Sequence, residues 1–185
     1  MSTLEVNTIK PISGSSTITL GESGDTIALA SGASQTLAVS TPAFEAYLSA
    51  DQSISDSVAT KAQFNTERFD TDSAYDNSSN FRFQPTVAGK YFIYSNIQFH
   101  MDDYKIYVAN IYIYKNGSVY CNTNTASNNN TILAHPITIN ATIDMNGSSD
   151  YVEIFGSIAA HGGSGQRFES SDKNSYFGAY KIIGA

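Results

Sequence analysis

Cysteine is almost missing from this chain. Cys121 stands alone, which excludes an intrachain disulfide and a cysteine cage for a metal within one chain, and leaves it as a small, half-buried strand residue. Cationic residues are also scarce: ten Lys and Arg face 17 Asp and Glu, for a formal net charge of -7. With no basic stripe to neutralise phosphates, nucleic acid is excluded as a partner. No apolar run reaches the length of a membrane span, so no membrane insertion is expected. The opening MSTLEVNTIKPISG lacks the basic patch and apolar stretch of a secretory signal, so synthesis in a cytoplasm is expected. Neither a Gly-x-Ser-x-Gly elbow nor a phosphate loop occurs, and the acidic residues cluster in polar segments rather than as a pair across a cleft. The one acid inside an apolar strand, Glu153, reads as a paired or rim residue. The chain is expected to be no enzyme, and to need no cofactor and no metal.

Helix formers are sparse too, whereas Thr, Ile, Val, Tyr and Phe fill the periodic runs, which makes the composition all-β. Residues 4 to 41 carry almost no aromatics but a weak repeat: TITLG at 17 to 21, TIALA at 26 to 30 and TLAVS at 36 to 40. Units this short cannot bury their apolar faces alone. Three copies wound about one axis would bring Ile18, Leu20, Ile27, Leu29, Leu37 and Val39 against their symmetry mates, so residues 1–42 read as a trimerising stem.

From Ala43 the strand signals come steadily, through AFEAYLSA (43 to 50), VATKAQFNTE (58 to 67), SNFRFQP (79 to 85), GKYFIYSNIQF (89 to 99), YKIYVANIYIYKN (104 to 116), SVYCNTNT (118 to 125), TILAHPITINATI (131 to 143), DYVEIFGSIAA (150 to 160) and NSYFGAYKIIGA (174 to 185). Regular short strands with turn chemistry between them predict a sandwich or jelly roll over 43–185. In KIYVANIYIYKNG both faces are apolar, one carrying Ile106, Val108, Asn110, Tyr112 and Tyr114 and the other Tyr107, Ala109, Ile111 and Ile113, which predicts cover on both sides by the core and by another subunit. Antiparallel connections alternate between the two ends of a sandwich. The tight turns Lys115 to Ser118 and Met145 to Ser148 then share the end where the chain enters, and the long polar connections 100 to 104, 124 to 130 and 161 to 174 share the distal end.

The order of residues resembles the globular head of the complement subcomponent q and tumour-necrosis-factor superfamily. The positions that carry the likeness are Ala43, Phe44 and Ala46, then Tyr75 and Asp76, then Phe81, Phe83, Pro85, Gly89, Tyr91 and Ile93. Lys115-Asn116-Gly117, Asp150-Tyr151-Val152 and Phe177-Gly178-Ala179-Tyr180 follow in register, with departures at Gly147 to Asp150 and at Tyr176 to Gly178. The resemblance implies an all-β, ten-stranded jelly-roll head that forms a homotrimer and binds ligands without catalysis. The opening LEVNTIKPISGSSTITLGESGDTIALASG looks like the Ser/Thr/Gly-rich stems of bacteriophage fibres, which implies a virion appendage docked on other virion proteins through residues 1–42 and facing the host with its tip. The competing implication is a structural decoration or adaptor protein that contacts virion proteins alone.

On this reading a host glycan or protein is met by the distal loops, and the candidate residues are His100, Asp102, Asp103, Tyr104, Asn128, His161, Arg167 and Phe168. Tyr104, Phe168 and Tyr120 offer flat rings for sugar, and Arg167 a partner for an acidic sugar or phosphate. His100 and His161 lack metal-ligand spacing and read as solvated loop residues, and His135, before Pro136, as packed near a sheet edge.

Overall fold

A computed structural model describes residues 31, 41–103, 106–127, 132–160, 162 and 164–182. The six apolar stem residues Ile18 to Val39, together with Tyr104, Asn128 and His161, lie outside the described residues. Ser40–Ala185 forms one unit. Its strands, in chain order, are β1 (Ala43–Tyr47), β2 (Gln52–Ser53), β3 (Thr60–Lys61), β4 (Thr66–Asp70), β5 (Tyr75–Asp76), β6 (Arg82–Phe83), β7 (Gly89–His100), β8 (Ile106–Lys115), β9 (Ser118–Ala126), β10 (Ala134–Met145), β11 (Val152–Ala160), β12 (Arg167–Phe168) and β13 (Tyr176–Lys181).

Two antiparallel sheets face each other, giving the jelly roll that the sequence pattern predicts. In the first, β7 is lined along one side by β10 over its whole length and along the other by β13 and then β12; β1 and β4 continue beyond β13, and β2 beyond β12. In the second, β9, β8 and β11 lie side by side, with β3 and β6 on the far side of β11 and β5 beyond β6. Alternation dictates what lies between them. Phe44, Phe83, Tyr91, Phe99, Ile111, Ile154 and Phe177 point inward from strands of both sheets and are fully buried. Phe44 stacks between Tyr75 and Phe83, at ring-centre distances of 4.5 and 4.7 Å, and meets Phe177 edge-on at 4.8 Å. Aromatic packing of this kind, worth roughly 0.5–1.5 kcal/mol per pair beyond area burial, fastens the first strand to the middle of the core.

The strands that the sequence draws longest are the ones that differ. VATKAQFNTE does not run as one strand but breaks into β3 and β4, because Phe64 turns into the core and the Gln63 N–H bonds the side chain of Gln52 instead of a neighbouring strand. SNFRFQP shrinks to β6 because Phe81 sits in the left-handed region with φ of 49°, which no ladder accommodates. The segment 161–174, read as one polar loop, contains β12, which pairs with both β7 and β2. In β8 one face is core and the other half-buried, while Tyr107, read on the same face as Ala109, Ile111 and Ile113, stands 40% exposed. The β8–β11 ladder shifts register at Ala159/Ala160, beside the Ile106 end of β8.

The registers divide the connections between two ends. β1 and β7 run away from the end where Thr41 begins the head, and β13 and β10 return to it. At that proximal end lie the turns at Asn116-Gly117 and at 146–149, both with a glycine at positive φ. At the distal end lie the connections that follow His100, Ala126 and Ala160. None of the described residues forms a helix long and apolar enough to cross a membrane.

Candidate functional site

Three distal segments meet around Arg167. β7 delivers His100 to the rim, Met101 tucks back into the core, and Asp102 and Asp103 turn outward. β12 lies against the last residues of β7, with Arg167 opposite His100 and Phe168 opposite Phe99. The Arg167 guanidinium is shared by two acids. Nη1 donates to Asp102 Oδ1 at 2.5 Å and to the Gly165 carbonyl at 3.1 Å, while Nε stands 3.0 Å from Asp51 Oδ2 as an ion pair without the alignment of a hydrogen bond. Asp51 Oδ1 in turn accepts from the backbone N–H and the hydroxyl of Ser170, both at 2.8 Å. The Ser170 N–H, helped by its hydroxyl and by Arg167 and opposed by partial burial, holds the Asp51 carboxyl below the usual carboxylate range. Asp103 Oδ2 accepts from the Ser164 N–H at 3.1 Å. His100 Nε2 is 4.0 Å from Glu169 Oε1, and its Nδ1 is buried with no hydrogen-bond partner among the described residues.

The structure thus brings His100, Asp102, Asp103 and Arg167 to one rim, as the strand count predicts, but changes what two of the candidates can do. Phe168 is 0% exposed, packed edge-on against Phe99 at 5.6 Å and against Gly156, where a Cβ would stand 2.8 Å from its ring. It is a core residue and offers no face to a sugar. Tyr120, exposed, follows the proximal Asn116-Gly117 turn and so lies at the other end of the head. Arg167 has its charge met by Asp51 and Asp102 and its Nη1 donating to Asp102 and Gly165. Sequence reading missed Asp51 and Ser170, which no local pattern ties to Arg167. Among the described residues, no three His, Cys, Asp or Glu side chains are grouped to hold a metal ion.

A second surface lies on the outer face of the first sheet. Phe92 and Tyr94 from β7 meet Tyr176 and Tyr180 from β13, with Phe92–Tyr180 centres 5.4 Å apart and Tyr94 6.3 Å from Tyr176. Tyr94 donates to Glu45 Oε2 at 2.8 Å, and Glu45 Oε1 takes Arg68 Nη1 at 2.5 Å. Burial, reinforced by the hydrogen bond and charge of Glu45, pushes the Tyr94 phenol well above its usual range, so it stays neutral. Tyr180 is 47% exposed. Phe92, Tyr94 and Tyr176 are half-buried, so the band is partly open to solvent.

No protein-family model and no curated protein matches the sequence. Solved structures match its fold. Murine APRIL is similar with 10% identity and a TM-score of 0.57, over 77% of this chain and all of that one. The Eiger TNF of S. frugiperda is similar with 10% identity and a TM-score of 0.51, over 78% of this chain and 93% of that one. The globular domain of zebrafish complement 1qA aligns with 12% identity and a TM-score of 0.49, over 78% of this chain and 98% of that one. At such identities the likeness is one of fold alone, and the fold the head shares with APRIL and the Eiger TNF is the jelly roll.

Proposed function

We propose that the chain is a non-enzymatic, homotrimeric virion appendage whose head binds the host cell surface, through glycan, with its distal loops, and whose residues 1–42 dock on other virion proteins. The observation that carries this reading is the segregation of connections: tight turns gather where the chain enters the head, and the long polar segments gather at the opposite end. A tip of adaptable loops on a rigid sandwich is how binding surfaces are ordinarily built. Trimerisation is supported by the outer aromatic face of the first sheet, which a neighbouring copy would cover. Three weak sites on one rigid tip then reinforce each other, because once one is engaged the others act at high effective concentration.

The test is binding of the labelled full chain to bacterial cells and to a printed glycan panel. Replacing residues 102–105 and 128–131 by short Gly/Ser turns, which spares the buried Met101 and its partner Leu133, is expected to abolish cell binding while native mass stays trimeric. Undiminished binding by the loop-replaced protein would place the contact elsewhere. A chain that ignores every cell and glycan but co-sediments with virions would be a decoration or adaptor protein instead.

A further inference from the structure

The sequence holds three arginines, at positions 68, 82 and 167. Two are neutralised: Arg68 by Glu45, and Arg167 by Asp51 and Asp102. Arg82 has no ion-pair partner among the described residues. Its guanidinium carbon instead stands 4.5 Å from the ring centre of Tyr151. A guanidinium resting on an aromatic face keeps its N–H donors, which lie in its own plane, free for another partner.

Arg82 lines an open pocket of about 330 Å³ beside β5 and β6, with Ser73, Tyr75, Asn80, Gln84, Thr86 and Ser148 around it. Small-ligand pockets run from about 300 to 1,000 Å³, so this one suits a single sugar ring. Its one acid, Asp76, is already satisfied. Oδ1 accepts from the N–H and hydroxyl of Ser78 and from the Ser79 N–H, and Oδ2 from the N–H and side-chain amide of Asn80. The neutral lining is made of hydroxyls and amides, and Gln84 Nε2 donates to the Ser148 carbonyl at 2.9 Å, which fixes its amide with the oxygen left to accept. The frame is rigid on both sides. Ser73 and Phe81 are held at φ of 53° and 49°, and the Tyr75 hydroxyl is anchored on the Phe64 carbonyl at 3.0 Å.

From this arrangement we infer that the Arg82 pocket binds a sugar carrying a carboxylate, of the hexuronic acid class. The fork of the guanidinium takes the carboxylate, and the hydroxyls and amides take the ring hydroxyls. Asp76 keeps its charge but spends its oxygens on its own turn and stands beyond ion-pair distance of Arg82, so the guanidinium fork is open to one ligand carboxylate. The nearby Lys61 is already spent on Glu153 and on the Asn80 carbonyl, so a dianionic phosphate would be left half-neutralised. The pocket lies toward the proximal end, beside Ser148, and its reading is independent of the distal loops.

The experiment is saturation-transfer NMR on the full chain with methyl glucuronide, methyl glucoside and glucose 6-sulfate. The glucuronide is expected to bind in preference to the other two. Arg82→Gln should weaken it about tenfold or more, and Arg82→Lys by less, because charge survives there without the fork. The loop-replaced protein should bind it as the wild type does. Equal binding of glucuronide and glucoside by the wild type, binding of neither, preference for the sulfate, or undiminished binding by a folded Arg82→Gln protein would each overturn the assignment. The wild-type comparison alone decides the matter if Arg82→Gln does not fold.

Discussion

Tyr94 lies over Gly178 so closely that its Cζ and Oη are both 2.4 Å from where a Cβ on residue 178 would stand. The glycine is there to let the ring lie down. Gly178→Ala is therefore expected to lift Tyr94 out of place, break its bond to Glu45 and roughen the aromatic face. Because the ring is the far end of a side chain and can move, the cost to the fold should be modest, about 1–2 kcal/mol by urea unfolding. If the face seats a second copy, native mass should show the trimer weakened far more than the fold.

Two other glycines separate strain from collision. At Gly147, φ is +71° and a Cβ would meet the Ala88 nitrogen at 2.3 Å, which is backbone and cannot step aside. At Gly162, φ is +82° with nothing within 4 Å. Gly147→Ala should cost roughly 3 kcal/mol or more and Gly162→Ala about 1 kcal/mol, both measured by thermal unfolding.

Glu153 is 6% exposed and paired with Lys61, which also donates to the Asn80 carbonyl. Lys61→Ala strands a buried carboxylate and is expected to destabilise the head by about 1–3 kcal/mol, with the half-exposed lysine keeping the figure toward the lower end. Replacing both, as Lys61→Met with Glu153→Leu, should cost less than Lys61→Ala alone. A double-mutant cycle in urea checks this.

Acid should find Asp76. The N–H of Ser79, then that of Ser78 and the Asn80 amide, hold its carboxyl well below the usual range. A depressed carboxylate stabilises the fold above its unfolded value, about 4, and that contribution is lost as pH falls from there through the folded value. Asp76→Asn is expected to be less stable than wild type at pH 7, with the difference shrinking below pH 4. Urea midpoints measured from pH 7 to pH 2 check the sign, and a gap that widens in acid would refute it.

Much of this head is legible in its sequence, because alternation, Asn-Gly turns and strand parity are local signals. They locate β7 to β11 to within a few residues, place both tight turns at the proximal end, and read Glu153 as a paired or rim residue, of which the structure shows the paired one. What they miss is set by contacts far along the chain. Phe168 sits between Arg167 and Glu169 in a stretch rich in Gly and Ser, so it reads as exposed; only its pairing beside Phe99 buries it. Arg167 reads as available because Asp51, its partner, follows the first strand. Arg82 carries no local signal of any kind, since its freedom consists of the absence of such a partner among the described residues.

The placement of β1 between β13 and β4, antiparallel to both, bears on load. A pull on the chain at Ala43, resisted at the distal loops roughly 40 Å away, as the twelve residues of β7 set the span at about 3.4 Å each, runs along the strand axis. It shears two ladders at once. In shear the hydrogen bonds of a ladder stretch together and give way only together, whereas peeling would open them singly. Tension applied to the head through its first strand is therefore borne by two ladders together rather than by one bond at a time.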